Sequence, residues 1–333
     1  MAKKFLIIRF SSIGDIVLTT PVIRCLRKQI PDAEIHFLTK QAFSGLLSSN
    51  PYIDKVHTLG SSFELMLHEL KVEDYDCIID LHHNLRTLRV KRFLKGVPSY
   101  SFSKLNIEKF ILTNFKINRM PAKHIVDRNL ATVSAFGVVN DGLGLDYFIP
   151  EKDRTKKEDI PVPHQLGYIG IVIGAALATK KMPIHQLQAL CAAIHYPIIL
   201  LGGKEDIEAG KAIAAQDDVK IYNACGKFNL NESADLVRNA KYIITHDTGL
   251  LHIAAAFQKP MIAIWGNTVP AFGMYPYYGA MSNQHFDNVE INKLWCRPCS
   301  KIGYNKCPKG HFKCMEKIDV KDIVNLIPTR FPA

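Results

Sequence analysis

Short apolar runs alternate with amphipathic segments of helical period along this 333-residue chain, and they do so in two successive series. In the first, Lys3–Phe10 (KKFLIIRF), Ala33–Leu38 and Asp76–Leu81 read as strands. Ile16–Gln29, a segment starting at Phe43–Ser49, and Phe63–Leu70 read as the helices between them, with Pro21 in the first turns of its helix. In the second, the strands are Tyr168–Ile173, Pro197–Leu201, Lys220–Asn223, Tyr242–Thr245 and Pro260–Trp265, and the helices Ile184–Ile194, Asp206–Ala215, Asn231–Asn239 and Leu250–Phe257. Strands separated by helices of this length build βαβ units, and hence parallel sheets. Residues 151–165 (EKDRTKKEDIPVPHQ) are charged, contain prolines and lack an apolar period, which marks a linker. The expectation is an α/β chain of two doubly wound, Rossmann-like domains, residues 1–155 and 166–318, followed by a C-terminal helix or tail at 319–333.

No run approaches the roughly 20 apolar residues of a membrane-crossing helix. Two lysines precede only five apolar residues, interrupted at Arg9, and no small-residue cleavage site follows, so that stretch reads as a buried strand and the protein as cytoplasmic. Eight cysteines are too sparse for a disulfide scaffold. Cys25, Cys77, Cys191 and Cys225 stand singly in apolar stretches as buried thiols. The net charge of +11 is uneven: Arg86 to Arg128 holds 11 basic residues against Glu108 and Asp127 alone. An anionic partner is expected there.

Open parallel sheets bind ligands at the carboxyl ends of their strands. The first such loop, Ser11-Ser12-Ile13-Gly14-Asp15, lacks the dinucleotide glycine fingerprint and offers hydroxyls, a permissive glycine and one carboxylate. Asp15 reads either as a helix cap or as a functional acid. The second, Asp247-Thr248-Gly249 with His252 beyond it, runs from a buried strand into a helix whose first N–H groups form an anion site. The third carries Lys180 and Lys181 before Pro183, read as phosphate contacts or as solvated lysines. The fourth, Gly202-Gly203-Lys204-Glu205-Asp206, offers a carboxylate to ribose hydroxyls, with helix capping by Asp206 as the competing role. In the fifth, Arg86, Arg89 and Arg92 recur on one side of a helix after His82-His83-Asn84. The sixth, Cys296, Cys299, Cys307 and Cys314, has the ligand count of a structural zinc site, but its second half is not another C-x2-C. Reduced thiols or a redox pair remain the alternatives.

Taken together, Arg9 to Pro21, Asp80 to Arg86, Asp247-Thr248-Gly249 with His252, and the late Cys-x-Pro-Cys, Cys-Pro-x-Gly-His and Cys-Met elements resemble glycosyltransferase family 9, the ADP-heptose:lipopolysaccharide heptosyltransferases. The resemblance runs from Phe5 to about Ile318. It implies a GT-B fold with two Rossmann-like domains facing across a cleft, and an inverting transfer of heptose that needs no metal and no cofactor, ADP-heptose being a substrate. Asp15 would be the general base. Lys180, Glu205, Phe228, Asp247, Thr248, Gly249 and His252 would hold the donor. Ser11, Gly14, Arg86, Arg89 and Arg92 would hold the acceptor, the anionic inner core on lipid A, with the enzyme peripheral on the cytoplasmic face of the inner membrane and no nucleic-acid partner. Ala175, Ala176 and Met182 depart from residues common in the family beside the donor phosphates. The competing readings are a GT-B enzyme using another nucleotide sugar, a nucleotide-sugar epimerase, an exported solute-binding protein and a nucleic-acid binder.

Overall fold

The computed structural model describes residues 3–331 and divides into two compact units. The first comprises residues up to Lys104, Lys123–Phe148 and Gly279–Met281, and the second Leu105–Ala122, Ile149–Tyr278 and the rest from Ser282.

The first unit is built on β1 (Lys4–Ile8), β2 (Glu34–Lys40), β3 (Lys55–Leu59), β4 (Cys77–Asp80) and β5 (Ser99–Ser101), all parallel, in the order β3-β2-β1-β4-β5. Its helices are α1 (Ile13–Val17), α2 (Thr20–Gln29), α3 (Phe63–Val72), α4 (Leu85–Phe93) and α6 (Ile125–Leu130), while α5 (Asn106–Phe115) belongs to the second unit. Phe5 to Ile8 are buried on both faces, as helices covering a parallel sheet require. The single helix expected over Ile16–Gln29 is two. The chain turns at Leu18 and Thr19, and Pro21, lacking an N–H, sits in the opening turn of the second helix, where none is needed. Buried Arg24 on α2 then ties down the segment leading out of the unit, bonding Asp141 at 2.7 Å, Asp146 and the Gly144 carbonyl. Residues 279–281 rejoin this unit through Met281 N–H to Gly142 O. Gly279, at φ +82°, lies so close that a Cβ there would meet the Gly142 carbonyl oxygen at 2.3 Å.

The second unit carries β6 (Ile169–Val172), β7 (Ile198–Leu201), β8 (Ile221–Asn223), β9 (Tyr242–His246), β10 (Met261–Trp265) and β11 (Phe286–Glu290), all parallel, in the order β11-β10-β9-β6-β7-β8. Its further helices are α7 (Ile184–Ala193), α8 (Ile207–Ala214), α9 (Leu230–Asn239), α10 (Gly249–Ala256), α11 (Lys313–Glu316) and α12 (Val320–Leu326). The tail is not separate: Ile323 of α12 is buried in this unit's core with Leu190 and Ile318. Nor is 151–165 a free linker. Thr155 bonds Asp235 through both its N–H (2.8 Å) and its hydroxyl (2.7 Å), Asp153 accepts from Asn231 at 2.8 Å, and buried His164 reaches the Ile198 and Lys220 carbonyls at 3.0 Å. Side-chain bonds fix that segment where an apolar period would otherwise do so.

Candidate active site

Each sheet reverses its winding once, between β1 and β4 in the first and between β6 and β9 in the second. Loops at such a switch point part and leave a crevice at the carboxyl ends of the strands. The sequence-derived site residues fall mainly on these loops.

In the first unit, the backbone leaves β1 with Arg9 inward and turns at Ser11-Ser12 into α1. Asp15 is the third residue of α1 rather than its cap; Ser12 is the cap. Asp15 Oδ2 accepts from the Ser12 N–H (3.1 Å) and hydroxyl (2.8 Å), and Oδ1 meets the Arg9 guanidinium at 2.6 Å. This carboxylate is therefore not the cap: from the third position it closes the helix start onto Ser12 and faces the Arg9 cation. Burial pushes Asp15 up, but the Arg9 charge and the Ser12 bonds outweigh it and hold the carboxyl below its usual range. Arg9 is itself buried, fixed by the Ser11 carbonyl at 2.8 Å and by the Leu81 carbonyl, from beyond β4, at 2.5 Å. Thus Arg9 joins the two loops of the switch point. Opposite, fully buried Asp80 ends β4, accepts from the N–H groups of His82 (3.1 Å) and His83 (2.7 Å), and pairs with Lys91 at 3.0 Å. His82 is driven down to about 4 by burial and by Arg9, so it is neutral at pH 7.

Helix α4 starts at that loop, capped reciprocally by Asn84 and Thr87. Arg86, Arg89 and Arg92 are exposed along it, whereas Lys91 turns inward to Asp80. Arg89 is partly occupied: its guanidinium stacks 4.5 Å from the Phe63 ring and lies 3.7 Å from Glu64. The basic segment read as one patch is not continuous. Residues 105–122 leave for the second unit, Arg128 is buried against the Ser103 carbonyl, and Lys116 bonds the Pro298 carbonyl at 2.6 Å.

In the second unit, the loop after β6 carries Lys180 and Lys181. Lys180 Nζ lies 2.7 Å from Asp247 Oδ2 and 3.2 Å from the Asp247 carbonyl, at the end of β9. Lys181 pairs at 2.6 Å with buried Asp206, whose other oxygen accepts the Gly203 N–H at 2.9 Å. Asp206 stands at the cap position of α8 but makes no cap bond to that helix. Both its oxygens are engaged within the protein, while Glu205 beside it is exposed. Glycines allow the closeness: a Cβ on Gly174 would meet Asp206 Oδ2 at 2.2 Å. Thr248 occupies the cap position of α10 but makes no cap bond. Its hydroxyl is buried and, among the described residues, has no hydrogen-bond partner, so the first-turn N–H groups of Gly249 and Leu250 keep their donor capacity. His252 is buried within α10, and Phe228 is half-buried in the turn between β8 and α9.

Several positioning residues here carried no signal in the sequence. His246, buried and held near 4 by burial, accepts the Met182 N–H at 3.0 Å and so anchors the lysine loop to β9. Arg297 of the cysteine loop donates to the Gly266 and Thr268 carbonyls (2.6 and 2.8 Å), and the Thr268 hydroxyl donates to Asp247 at 2.9 Å. Tyr304 of that loop pairs with Thr179: its N–H donates to the Thr179 hydroxyl at 2.8 Å and its carbonyl accepts the Thr179 N–H at 3.1 Å. The cysteine loop therefore braces both sides of the Lys180–Asp247 pair. Its four cysteines are free thiols, Cys296 facing His311 at 3.7 Å. Among the described residues, no three of their sulfurs gather within 4.8 Å. The trio that does so is His36, His57 and Glu73, and it is engaged by Tyr75, Lys4 and Lys55.

No helix of the described residues is long and apolar enough to cross a membrane. The two-sheet architecture matches that of E. coli ADP-heptose lipopolysaccharide heptosyltransferase II, with TM-score 0.73, 21% identity, and 97% of this chain and 96% of that one covered. It also matches a family 9 glycosyltransferase from Veillonella parvula (TM-score 0.70, 23% identity, 86% of each chain). Fold and switch-point loops together define a GT-B architecture. The sequence model described as glycosyltransferase family 9 (heptosyltransferase) matches residues 65–306, and the chain belongs to that family. Among its relatives, lipopolysaccharide heptosyltransferase 1 of Campylobacter coli is 25% identical over 363 aligned positions, covering 98% of this chain and 99% of the relative. Lipooligosaccharide heptosyltransferase 2 of Haemophilus influenzae is 28% identical, with 80% and 84% covered.

Proposed function

We propose that this enzyme transfers a heptose from ADP-heptose to the inner core of lipopolysaccharide, on 3-deoxy-octulosonic acid–lipid A or its heptosylated form, with inversion and without a metal or cofactor. Supporting the substrates are the relatives named as heptosyltransferases. The observation that carries the chemistry is the start of α10, where an unclaimed buried hydroxyl on Thr248 and open first-turn N–H groups stand beside Lys180. That combination suits a diphosphate.

In this reading the acceptor hydroxyl oxygen attacks the anomeric carbon, its proton passes to Asp15, and the carbon–oxygen bond to the diphosphate breaks with its electron pair leaving on ADP. Asp15 is ionised and can take the proton; its depressed basicity suits a transfer late along the bond-making step. Lys180 and the α10 start offset the charge growing on the leaving diphosphate. Glu205 reaches the ribose, Phe228 the base and Asp247 the heptose. His252, buried within α10, stands with Asp247 on the heptose side. Ser11, Gly14 and Arg86, Arg89 and Arg92 receive the anionic acceptor, at the cytoplasmic face of the inner membrane, and nucleic acid is not a partner.

Calorimetric titration with ADP, UDP and GDP tests the donor. Selective ADP binding, weakened roughly 10- to 100-fold in Lys180→Ala by loss of a charged hydrogen bond, is the expected result. Preference for UDP or GDP would replace the heptose reading with another nucleotide sugar.

A further inference from the structure

We infer that the second unit docks on an anionic lipid bilayer through a surface made by α5 and the cysteine loop. The inference rests on the lipid-borne acceptor proposed above only for its biological sense, and its test contains no acceptor. Helix α5 presents Ile107, Phe110 and Phe115 along one side, with Phe110 58% and Phe115 64% exposed, while Leu112 on the other side packs against Val269 and Phe272. A soluble helix with its large apolar residues outward needs a partner for that face. The cysteine loop adjoins it, since Lys116 at the end of α5 bonds the Pro298 carbonyl at 2.6 Å. That loop exposes Trp295 (65%) and Ile302.

Charge decides the partner. From Lys293 to Lys317 the loop has seven basic residues against the single acid Glu316. Lys309 lies 5.1 Å from the Trp295 ring centre, so cation and aromatic share one spot. Aromatic and aliphatic side chains set among lysines match the boundary between headgroups and acyl chains of an anionic bilayer. A second copy of the chain would bring the same sign of charge against itself and is disfavoured.

Flotation of the full chain with vesicles of phosphatidylethanolamine and phosphatidylglycerol, beside vesicles of phosphatidylcholine, tests this. The chain is expected to float with the anionic vesicles and to detach as salt rises. Trp265 is 1% exposed, so a blue shift on binding would come from Trp295. Phe110→Ser with Trp295→Ser is expected to cut partitioning about tenfold or more, and Lys301→Glu with Lys306→Glu to do the same, with ADP affinity unchanged in both. Undiminished flotation of both double variants would overturn the inference. So would failure to float with the acceptor-free anionic vesicles, or self-association of the wild type in vesicle-free buffer that the apolar variant abolishes. Failure of ADP binding would count against the donor reading and leave this result untouched.

Discussion

The Arg9 guanidinium stands 2.6 Å from the Asp15 carboxylate and is fixed in turn by the Leu81 carbonyl across the switch point, so the acid of one loop is positioned by the strand end of another. Burial alone would raise the Asp15 carboxyl, and Arg9 is the chief reason it is held low. Arg9→Met is therefore expected to raise it. The acidic limb of the kcat–pH profile, below which Asp15 is protonated, should move toward neutral pH. A limb at the wild-type position would show that Asp15 does not report on turnover.

Gly174 has no room for a methyl group, because its Cβ would strike the Asp206 carboxylate that holds Lys181 and the Gly203 N–H. Gly174→Ala is expected to lower both ADP affinity and melting temperature, the latter by several degrees for a loss of about 1–3 kcal/mol. Gly45→Ala, where nothing lies within 4 Å, should leave both unchanged. Equal behaviour of the two variants in thermal melts and titrations would remove Asp206 as the brace.

Arg86 and Arg89 share an exposed helix face, yet Arg89 already stacks on Phe63 near Glu64. Arg86→Glu should raise the acceptor KM more than the donor KM, and more than Arg89→Glu does. Steady-state kinetics with both substrates varied would reveal it, and equal changes in donor and acceptor KM would deny α4 its acceptor role.

These arrangements were unevenly legible in the sequence. Doubly buried strands such as Phe5–Ile8 and Ile243–Thr245 announce themselves as apolar runs, and their following loops fall at carboxyl ends by topology alone. The edge strands β3 (KVHTL), β5 (SYS) and β11 (FDNVE) escaped notice because one side of an edge strand needs no apolar cover. Arg9 interrupts an apolar strand in the sequence, and nothing there marks it as a buried charge because its partners are tertiary. Asp80 and Lys91 met for the same reason, and so did Arg297, Thr268 and Asp247. Lys180 and Asp15 could be singled out because they stand on the switch-point loops themselves.

His246 links protonation to stability. Burial holds it near 4, against about 6.5 for an unfolded histidine, so the unfolded chain binds the extra proton first. Its contribution is complete above the unfolded value and is lost as pH falls toward the folded one. Denaturant unfolding should show wild type losing about 1–2 kcal/mol from this residue between pH 7 and pH 5. His246→Asn, which keeps an acceptor for the Met182 N–H, should lose correspondingly less, and an identical pH slope in the two proteins would contradict the linkage.

The most direct measurement is heptosyl transfer by Asp15→Asn, with ADP-heptose and a 3-deoxy-octulosonic acid–lipid A acceptor, under single-turnover conditions. The amide keeps the shape that accepts from Ser12 but cannot take the proton. Transfer should fall by about 10²- to 10⁴-fold while ADP binding stays near wild type, and melting temperature should drop because buried Arg9 loses its carboxylate partner. Transfer at the wild-type rate would mean that Asp15 closes the start of α1 and does no more.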